Sequence, residues 1–204
     1  VTHNGEIKNV VFENAIVSGR LNVGVVAGQP YTSKYSNITV RGHVEVNGMA
    51  YVGAVGGKNA YANWNNITVN VDEASYVNAN SVEDGTAYRT YVGGVIGFCG
   101  EGGHTFSNIR SNIDVKGSTI DVGGIVGKYY TKVSNCSVIG NDKTTSVVKG
   151  VYVASDLEGD NVGGIMGHCG ENNNLSGNTV KNITVSGTRK VGGIVGIADQ
   201  NTDV

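Results

Sequence analysis

Proline, leucine and charged residues are scarce in this chain of 204 residues, which has one Pro, three Leu and 16% charged residues. Average soluble domains carry about 25% charged residues. A helical bundle is excluded because strong helix formers such as Leu are so few. Collagen is excluded because Pro and a strict glycine period are both missing. No apolar run approaches the roughly 20 residues that a membrane helix needs, so we expect no membrane insertion.

The chain also has no large excess of either charge, because 15 basic residues are scattered among 17 acidic ones and the net charge is −2. A nucleic-acid partner would call for a basic patch or stripe, so we expect none. The three cysteines, Cys99, Cys136 and Cys169, are an odd number. At least one thiol therefore stays free or pairs outside the chain.

Valine, glycine and asparagine dominate what is present, and glycine alone occurs 32 times. Valine favours pleated strands, while Gly and Asn supply the positive φ angles of tight turns. The composition therefore predicts strands joined by turns.

A six-residue box with the pattern Val-Gly-x-(Val/Ile)-x-Gly occurs six times. It begins at Val23, Val52, Val92, Val122, Val162 and Val191. The intervals between successive box valines alternate, because the first, third and fifth are short and the second and fourth are long. Six copies in one chain indicate a repeat architecture.

Two further elements recur between the boxes. Asn-Ile-Thr-Val and its variants begin at Asn37, Asn66, Asn112, Asn135 and Asn182, and Asn9 opens a similar stretch. Its apolar and polar residues alternate, as in a strand with one buried face. A weaker element begins at His43 and aligns with the stretches from Asn112 and Asn182, since all three start at the same distance after a box valine.

These repeats predict an all-β fold, a parallel β-helix or β-solenoid built from six tandem repeats of about 30–40 residues. Each repeat cannot bury its apolar faces alone, and stacking buries them as a column. Residues 1–204 then form a single domain. Stacking also predicts ladders of asparagine side chains at equivalent turn positions. Four of the five Asn-x-Ser/Thr sequons belong to the repeat strand, so we interpret them as structural.

Two registers fit the alternating spacing. Either each box occupies its own turn, or two boxes share one turn of twice the width, and we favour the first. Cys99 and Cys169 distinguish them, because both lie at the same distance after a box valine. With one box per turn they sit about 9.6 Å apart, twice the strand spacing, too far for a disulfide. We expect polar excursions at about residues 72–90 and 141–160, projecting from one side.

The boxes, each followed by a loop and an Asn-Ile-x-Val strand, resemble the GLUG motif, which occurs in tandem in bacterial surface proteins. The resemblance covers the chain from Ile7 to Ile197. It is weakest in the first two boxes, which depart at Val25 and Ala27 and at Ala54 and Gly56, so their turns are expected to pack differently.

The resemblance implies a secreted or cell-surface bacterial location and a non-catalytic, adhesin-like repeat domain. Such a domain binds host or glycan ligands or acts as a scaffold. It implies as alternatives a structural spacer or substrate-recognition domain of a secreted IgA-type metallopeptidase. Host glycans, extracellular proteins and other domains of the same polypeptide are the expected partners. The chain begins at Val1 within a strand-like stretch, so we expect it to be part of a longer protein.

Motifs for catalysis, metals and cofactors are missing from the sequence, and we expect no enzyme, no metal and no cofactor. The His-Glu-x-x-His signature is absent. The repeated Cys-Gly-Glu at Cys99 and Cys169 is interpreted as a structural turn, and the acidic stretch from Asp156 to Asn161 as a solvated loop. A polysaccharide-active β-helix would need carboxylates on one wall. The candidates by residue type are Glu45, Asp72, Glu73, Asp114, Asp121 and Asp160.

Aromatic residues gather in the loops after the boxes, and stacking would join those loops into a strip. The candidate ligand-binding strip consists of Tyr31, Tyr35, Tyr61, Trp64, Tyr129 and Tyr130. Such rings stack on sugars or anchor protein partners. The alternative interpretation is that the same rings cap the coil and cover its strand edges.

Overall fold

A computed structural model describes residues 5–31, 33–80, 82–83, 86–87, 90–100, 104–118, 121–130, 132–140, 146–150, 161–171 and 173–204. Within these residues the fold is all-β, with no helix. The strands of the first half are β1 (Glu6–Ser18), β2 (Leu21–Val23), β3 (Lys34–Gly48), β4 (Ala50–Gly53), β5 (Gly56–Asn59), β6 (Asn63–Val71), β7 (Tyr76–Asn80), β8 (Val82–Glu83), β9 (Thr86–Ala87), β10 (Tyr91–Gly93) and β11 (Ile96–Cys99).

The remaining strands are β12 (Phe106–Ser111), β13 (Asp114–Ser118), β14 (Asp121–Gly123), β15 (Val126–Tyr129), β16 (Val133–Ser134), β17 (Ser137–Ile139), β18 (Ser146–Gly150), β19 (Asn161–Gly163), β20 (Met166–Cys169), β21 (Leu175–Ser176), β22 (Thr179–Lys181), β23 (Ile183–Ser186), β24 (Lys190–Gly192) and β25 (Val195–Ala198). Apart from the antiparallel pair β8–β9, all described strands pair in parallel.

The boxes form two parallel sheets, because every box supplies one strand before its central bend and every box except the first supplies one after it. In the first box, Ala27 forms an isolated bridge to Gly56 instead. The strands before the bend follow the order β2-β4-β10-β14-β19-β24, and those after it the order β5-β11-β15-β20-β25. The six box valines pair in register from Val23 to Val191. Consecutive boxes are therefore direct neighbours, which agrees with one box per turn and not with two.

The cysteines agree with that register. Cys99 lies on β11 and Cys169 on β20, and β15 runs between these two strands. Cys99, Cys136 and Cys169 are all free and buried.

The third and largest sheet forks at β3, whose two halves lead into separate arms. The first half of β3 leads through β6 and β12 to β16 and β21, and its second half leads through β7, β13 and β18 to β23. The second arm aligns Val46, Val77, Val115, Val148 and Val185 in one column. The element that begins at His43 does align with those at Asn112 and Asn182, as the sequence indicated.

The expected excursions are corrected by this second arm. Within residues 72–90, β7 is a sheet strand between β3 and β13, whereas β8 and β9 pair with each other and with neither arm, as an excursion would. Within residues 141–160, β18 lies between β13 and β23. β7 and β18 belong to the two long intervals between boxes. They occupy the same arm as the second half of β3, β13 and β23, which belong to the short intervals. Residues 141–145 and 151–160 lie outside the described part of the chain.

An asparagine ladder follows the first arm, as predicted. The side-chain amide of Asn37 donates to Asn9 Oδ1 at 2.9 Å, and that of Asn66 donates to Asn37 Oδ1 at 2.7 Å. The backbone at Asn9, Asn37, Asn66, Asn108 and Asn135 has a positive φ between 52° and 56°. Asn112 and Asn182 precede strands of the second arm instead, so the sequence alignment had merged two different columns.

The first two boxes also pack differently from the rest, as their sequences suggested. The N–H of Val25 donates to the carbonyl of Ala54, which is the equivalent third residue of the next box. In the later boxes, the N–H of Gly94 donates to Gly123, the second residue of the next box. Third-position glycines permit this closer arrangement, because a Cβ on Gly94 would collide with the carbonyl oxygen of Gly124.

Candidate functional surface

Half of the expected aromatic strip lies in the core, which corrects the sequence-based prediction. Trp64 and Tyr129 are 0% exposed and Tyr35 is 1% exposed. The Tyr35 and Trp64 rings stack in parallel, with centroids 4.0 Å apart and an interplanar angle of 13°. Phe106 continues the row between Trp64 and Tyr129. These rings fill the interior of the first arm, so they cannot contact a ligand at the surface.

The other three candidates remain accessible but do not form a single strip. Tyr61 is 49% exposed. Its ring meets the edges of Tyr31 and His104, at centroid distances of 5.6 and 5.3 Å. Tyr130 lies against Phe98 instead, at 6.3 Å.

Tyr130 belongs to a different surface cluster, which we call the aromatic–lysine patch. It consists of Tyr51, Lys58, Tyr91, Phe98, Lys128 and Tyr130, and every member is half-buried. The Tyr51, Tyr91 and Phe98 rings lie within 5.0–5.7 Å of one another. Lys58 Nζ lies 5.0 Å from the Tyr51 ring centroid, and Lys128 Nζ lies 5.1 Å from that of Tyr130.

Two fixed positions beside the box build this patch. From the third box onward, the residue before the box valine pairs in register along one sheet, as Tyr91 does with Asp121. Tyr51 holds the same position in the second box, where the backbone φ of 58° leaves it outside the register. The residue after each final box glycine pairs along the next sheet, where Phe98 lies between Lys58 and Lys128. The residues that flank the boxes include every member of the patch except Tyr130, which lies further along the chain, so their repeated positions were the sequence signal for this surface.

An ionic cluster continues the same wall beyond the patch. The carboxylate of Asp121 is buried, accepts a hydrogen bond from the Asn161 amide and lies 3.6 Å from His168 Nδ1. His168 Nε2 lies 2.8 Å from Asp199. Burial lowers the pKa of His168, but the carboxylates of Asp121 and Asp199 outweigh it and the pKa is raised. The cluster therefore links β14, β20 and the segment after β25.

A second ionic cluster lies on the second arm of the large sheet. His43 contacts Glu45 through Nε2 at 2.9 Å and Asp72 through Nδ1 at 3.2 Å. Tyr76 Oη donates to Glu45, and Ser75 Oγ donates to Asp72. Hydrogen bonds with Glu45 and then Asp72 raise the pKa of His43. The pKa of Glu45 is lowered mainly by His43, and that of Asp72 mainly by Ser75.

We predict that Glu45→Gln lowers the pKa of His43 toward its ordinary value, because the neutral amide stabilises the imidazolium less than a carboxylate does. In the native protein, the ion pairs of His43 with Glu45 and Asp72 persist below the ordinary histidine pKa of about 6.5. They are lost as the pH rises through the raised pKa of His43, because the ring then gives up its proton. Titration of the His43 ring resonances by NMR measures this shift. Glu73→Gln, which changes an exposed carboxylate next to Asp72, should leave the titration unchanged, and an equal shift in both variants would contradict the assignment.

The other expected carboxylates are distributed between these two clusters and solvent. Glu45 and Asp114 share a column with Tyr76 between them. Glu73 is exposed. Asp160 and the acidic stretch before Asn161 lie outside the described residues. In the part of the chain that the structure describes, no three His, Cys, Asp or Glu side chains converge as metal ligands.

The three thiols are poor nucleophiles in this structure. Burial raises the pKa of Cys99 and Cys136 to about 12 and that of Cys169 to about 11. Because the thiolate is the reactive form, these cysteines are protonated at neutral pH. Cys99 and Cys169 lie in the strands on either side of β15, whereas Glu171 is exposed.

Comparison with known proteins gives no relative: no protein-family model, no curated protein and no solved structure matches the chain. The described residues contain no helix that is both long and apolar enough to span a bilayer.

Proposed function

We propose that the chain is a parallel β-solenoid of six stacked repeats, related to the GLUG-motif proteins. The register of the box valines and the two arms of the large sheet support this fold, because the same order of strands returns after every box. Buried residues extend from Val23 to Leu175 as one cluster. Such a cluster is the core expected when stacked repeats bury their shared faces.

As its function we propose a non-catalytic, adhesin-like binding module of a secreted or cell-surface bacterial protein. Its partners would be host glycans or extracellular proteins. The aromatic–lysine patch supports this proposal, because it presents four half-buried rings in contact with one another, two on neighbouring strands of one box sheet and two on or just after neighbouring strands of the other. Rings held in place in this way lose little conformational freedom on binding, and aromatic side chains dominate the energetics of many binding surfaces.

We predict that Tyr91→Ala combined with Tyr130→Ala weakens binding to the ligand by at least tenfold. Loss of one hot-spot side chain typically costs about 2 kcal/mol, and tenfold in affinity corresponds to about 1.4 kcal/mol. The experiment is a screen of the purified chain against arrays of glycans and extracellular-matrix proteins. Any ligand found is then titrated against the native chain and the double variant.

The matched control is Tyr31→Ala combined with Tyr61→Ala, which removes two accessible tyrosines outside the patch. This variant should keep the native affinity. Equal losses in both variants would contradict the assignment to the patch. A folded native chain that binds nothing on either array would contradict the binding function and favour a spacer within a larger protein.

A further inference from the structure

An open groove crosses the outer face of the first arm, away from the aromatic–lysine patch. It measures about 380 Å³ and is lined mainly by Thr68, Asn70, Arg110, Asn112, Ser137 and Ile139. It lies where β6, β12 and β17 run side by side, just before the chain turns toward the second arm. This groove plays no part in the proposed binding function above.

The groove has a distinctive chemical character because four of the six positions in one column of the sheet carry hydroxyl residues. Thr39, Thr68, Arg110, Ser137 and Thr179 pair in register along it. Arg110 is the one charged member of this column, whose first position is Val11, and its side chain is exposed. Adjacent members of the column lie about 4.8 Å apart along the direction of stacking.

The neighbouring column adds amide groups and further positive charge. Asn70 and Asn112 lie beside the hydroxyl column, and the side-chain amide of Asn112 donates to Asn70 Oδ1 at 3.4 Å. Lys181 pairs with Ile139 at the end of this column. Among the described residues that line the groove, none carries a carboxylate. The groove is therefore electropositive at Arg110 and rich in hydrogen-bonding groups on both sides of it.

We propose that this groove binds a polysaccharide that carries carboxylate groups, in other words a chain of uronic acid residues. A guanidinium recognises a carboxylate with two parallel hydrogen bonds. The hydroxyl and amide groups that flank Arg110 can donate to and accept from sugar hydroxyls. Because the column runs along the stacking direction, an extended sugar chain can contact Thr68, Arg110 and Ser137 in succession.

The test is calorimetric titration of the purified chain with an oligogalacturonate and with a neutral galacto-oligosaccharide of the same length. We expect the native chain to bind the acidic oligosaccharide and to discriminate against the neutral one by at least tenfold. Arg110→Gln should remove this discrimination, and Arg110→Lys should restore it only in part, because an ammonium cannot make the bidentate contact. Binding should weaken as salt concentration rises.

Arg41→Gln is the matched control. Arg41 is an exposed arginine on the same arm, but it pairs with Glu13 at 3.0 Å, so its loss should leave affinity for the oligogalacturonate unchanged. Thermal unfolding of each variant checks that the fold is intact.

Three results would overturn the proposal: no binding by the native chain, equal binding of the neutral sugar, or native affinity in Arg110→Gln. Tighter binding of a sulfated oligosaccharide would overturn the choice of uronic acids. Retention of binding in the Tyr91/Tyr130 variant separates this site from the aromatic–lysine patch.

Discussion

Replacement of Trp64 by Ala should lower the free energy of unfolding by about 3–5 kcal/mol, the usual cost of removing a buried Trp or Phe side chain. Trp64 is fully buried, with Tyr35 stacked on one face and Phe106 6.5 Å away on the other side. The cavity left by Ala would sit in the middle of this row, where the neighbouring strands are paired on both sides and cannot collapse into it.

The measurement is thermal and urea unfolding followed by circular dichroism, because Trp64 is the chain's single Trp and its fluorescence disappears with it. For a chain of this length, a loss of this size lowers the Tm by roughly 10 °C. Tyr61→Ala is the matched control, since Tyr61 is half exposed, and it should cost less than about 1 kcal/mol. If the two variants were equally stable, the aromatic row would not be a core element.

The position of Trp64 also shows why the sequence misassigned the aromatic residues. If buried and exposed residues alternated strictly, Trp64, three positions before the buried Ile67, would lie on the solvent face. The register instead runs Trp64, Asn65, Ile67, because Asn66 has a φ of 55° and is skipped in the pairing. A residue in this left-handed conformation acts as a bulge and reverses the phase of the strand. Asparagine tolerates that conformation better than most residues do.

A signal for this phase reversal was present in the sequence. Aromatic residues stand two positions before the repeated Asn in Tyr35-Ser-Asn, Trp64-Asn-Asn and Phe106-Ser-Asn. A fixed offset from a repeated turn residue indicates a repeated structural position. The box, by contrast, was read correctly, because its spacing and its buried valines do not depend on the phase of the neighbouring strand.

The second arm of the large sheet was harder to predict for a different reason. Tyr76–Asn80 shares little beyond one valine with the strands that it joins, whereas Ser146–Gly150 repeats the Val-Lys-Gly sequence of β13 in register. Parallel pairing is made by the backbone, so side chains at exposed positions are free to vary. Sequence similarity is therefore weakest at β7, although Val77 keeps the same place in the column as Val115 and Val148. The aromatic–lysine patch was missed because its members come from different repeats and meet only after stacking.

Replacement of Gly164 by Ala should destabilise the chain by about 3 kcal/mol, the upper end of the usual cost of overpacking. An added Cβ at this third box position would collide with the carbonyl oxygen of Gly193 in the next box and lie 3.0 Å from Ile183 Cδ1. The colliding atom is backbone in the bend between the paired strands β24 and β25, so it cannot move aside without disturbing their register.

Gly193→Ala is a close control, because Gly193 occupies the same position in the last box and an added Cβ there meets no atom within 4 Å. Urea unfolding of the two variants should therefore give a large loss for Gly164→Ala and a change within about 1 kcal/mol for Gly193→Ala, whose sign depends on the entropy of the unfolded chain. Equal losses would mean that the glycine is needed for its backbone freedom and not for space. The native chain already carries a larger side chain at this position in Val25 of the first box. That box is joined to its neighbour by the Val25–Ala54 hydrogen bond instead of the closer arrangement of the later boxes. The third box residue and the backbone register thus vary together, which is the relation that the Gly164 variant tests.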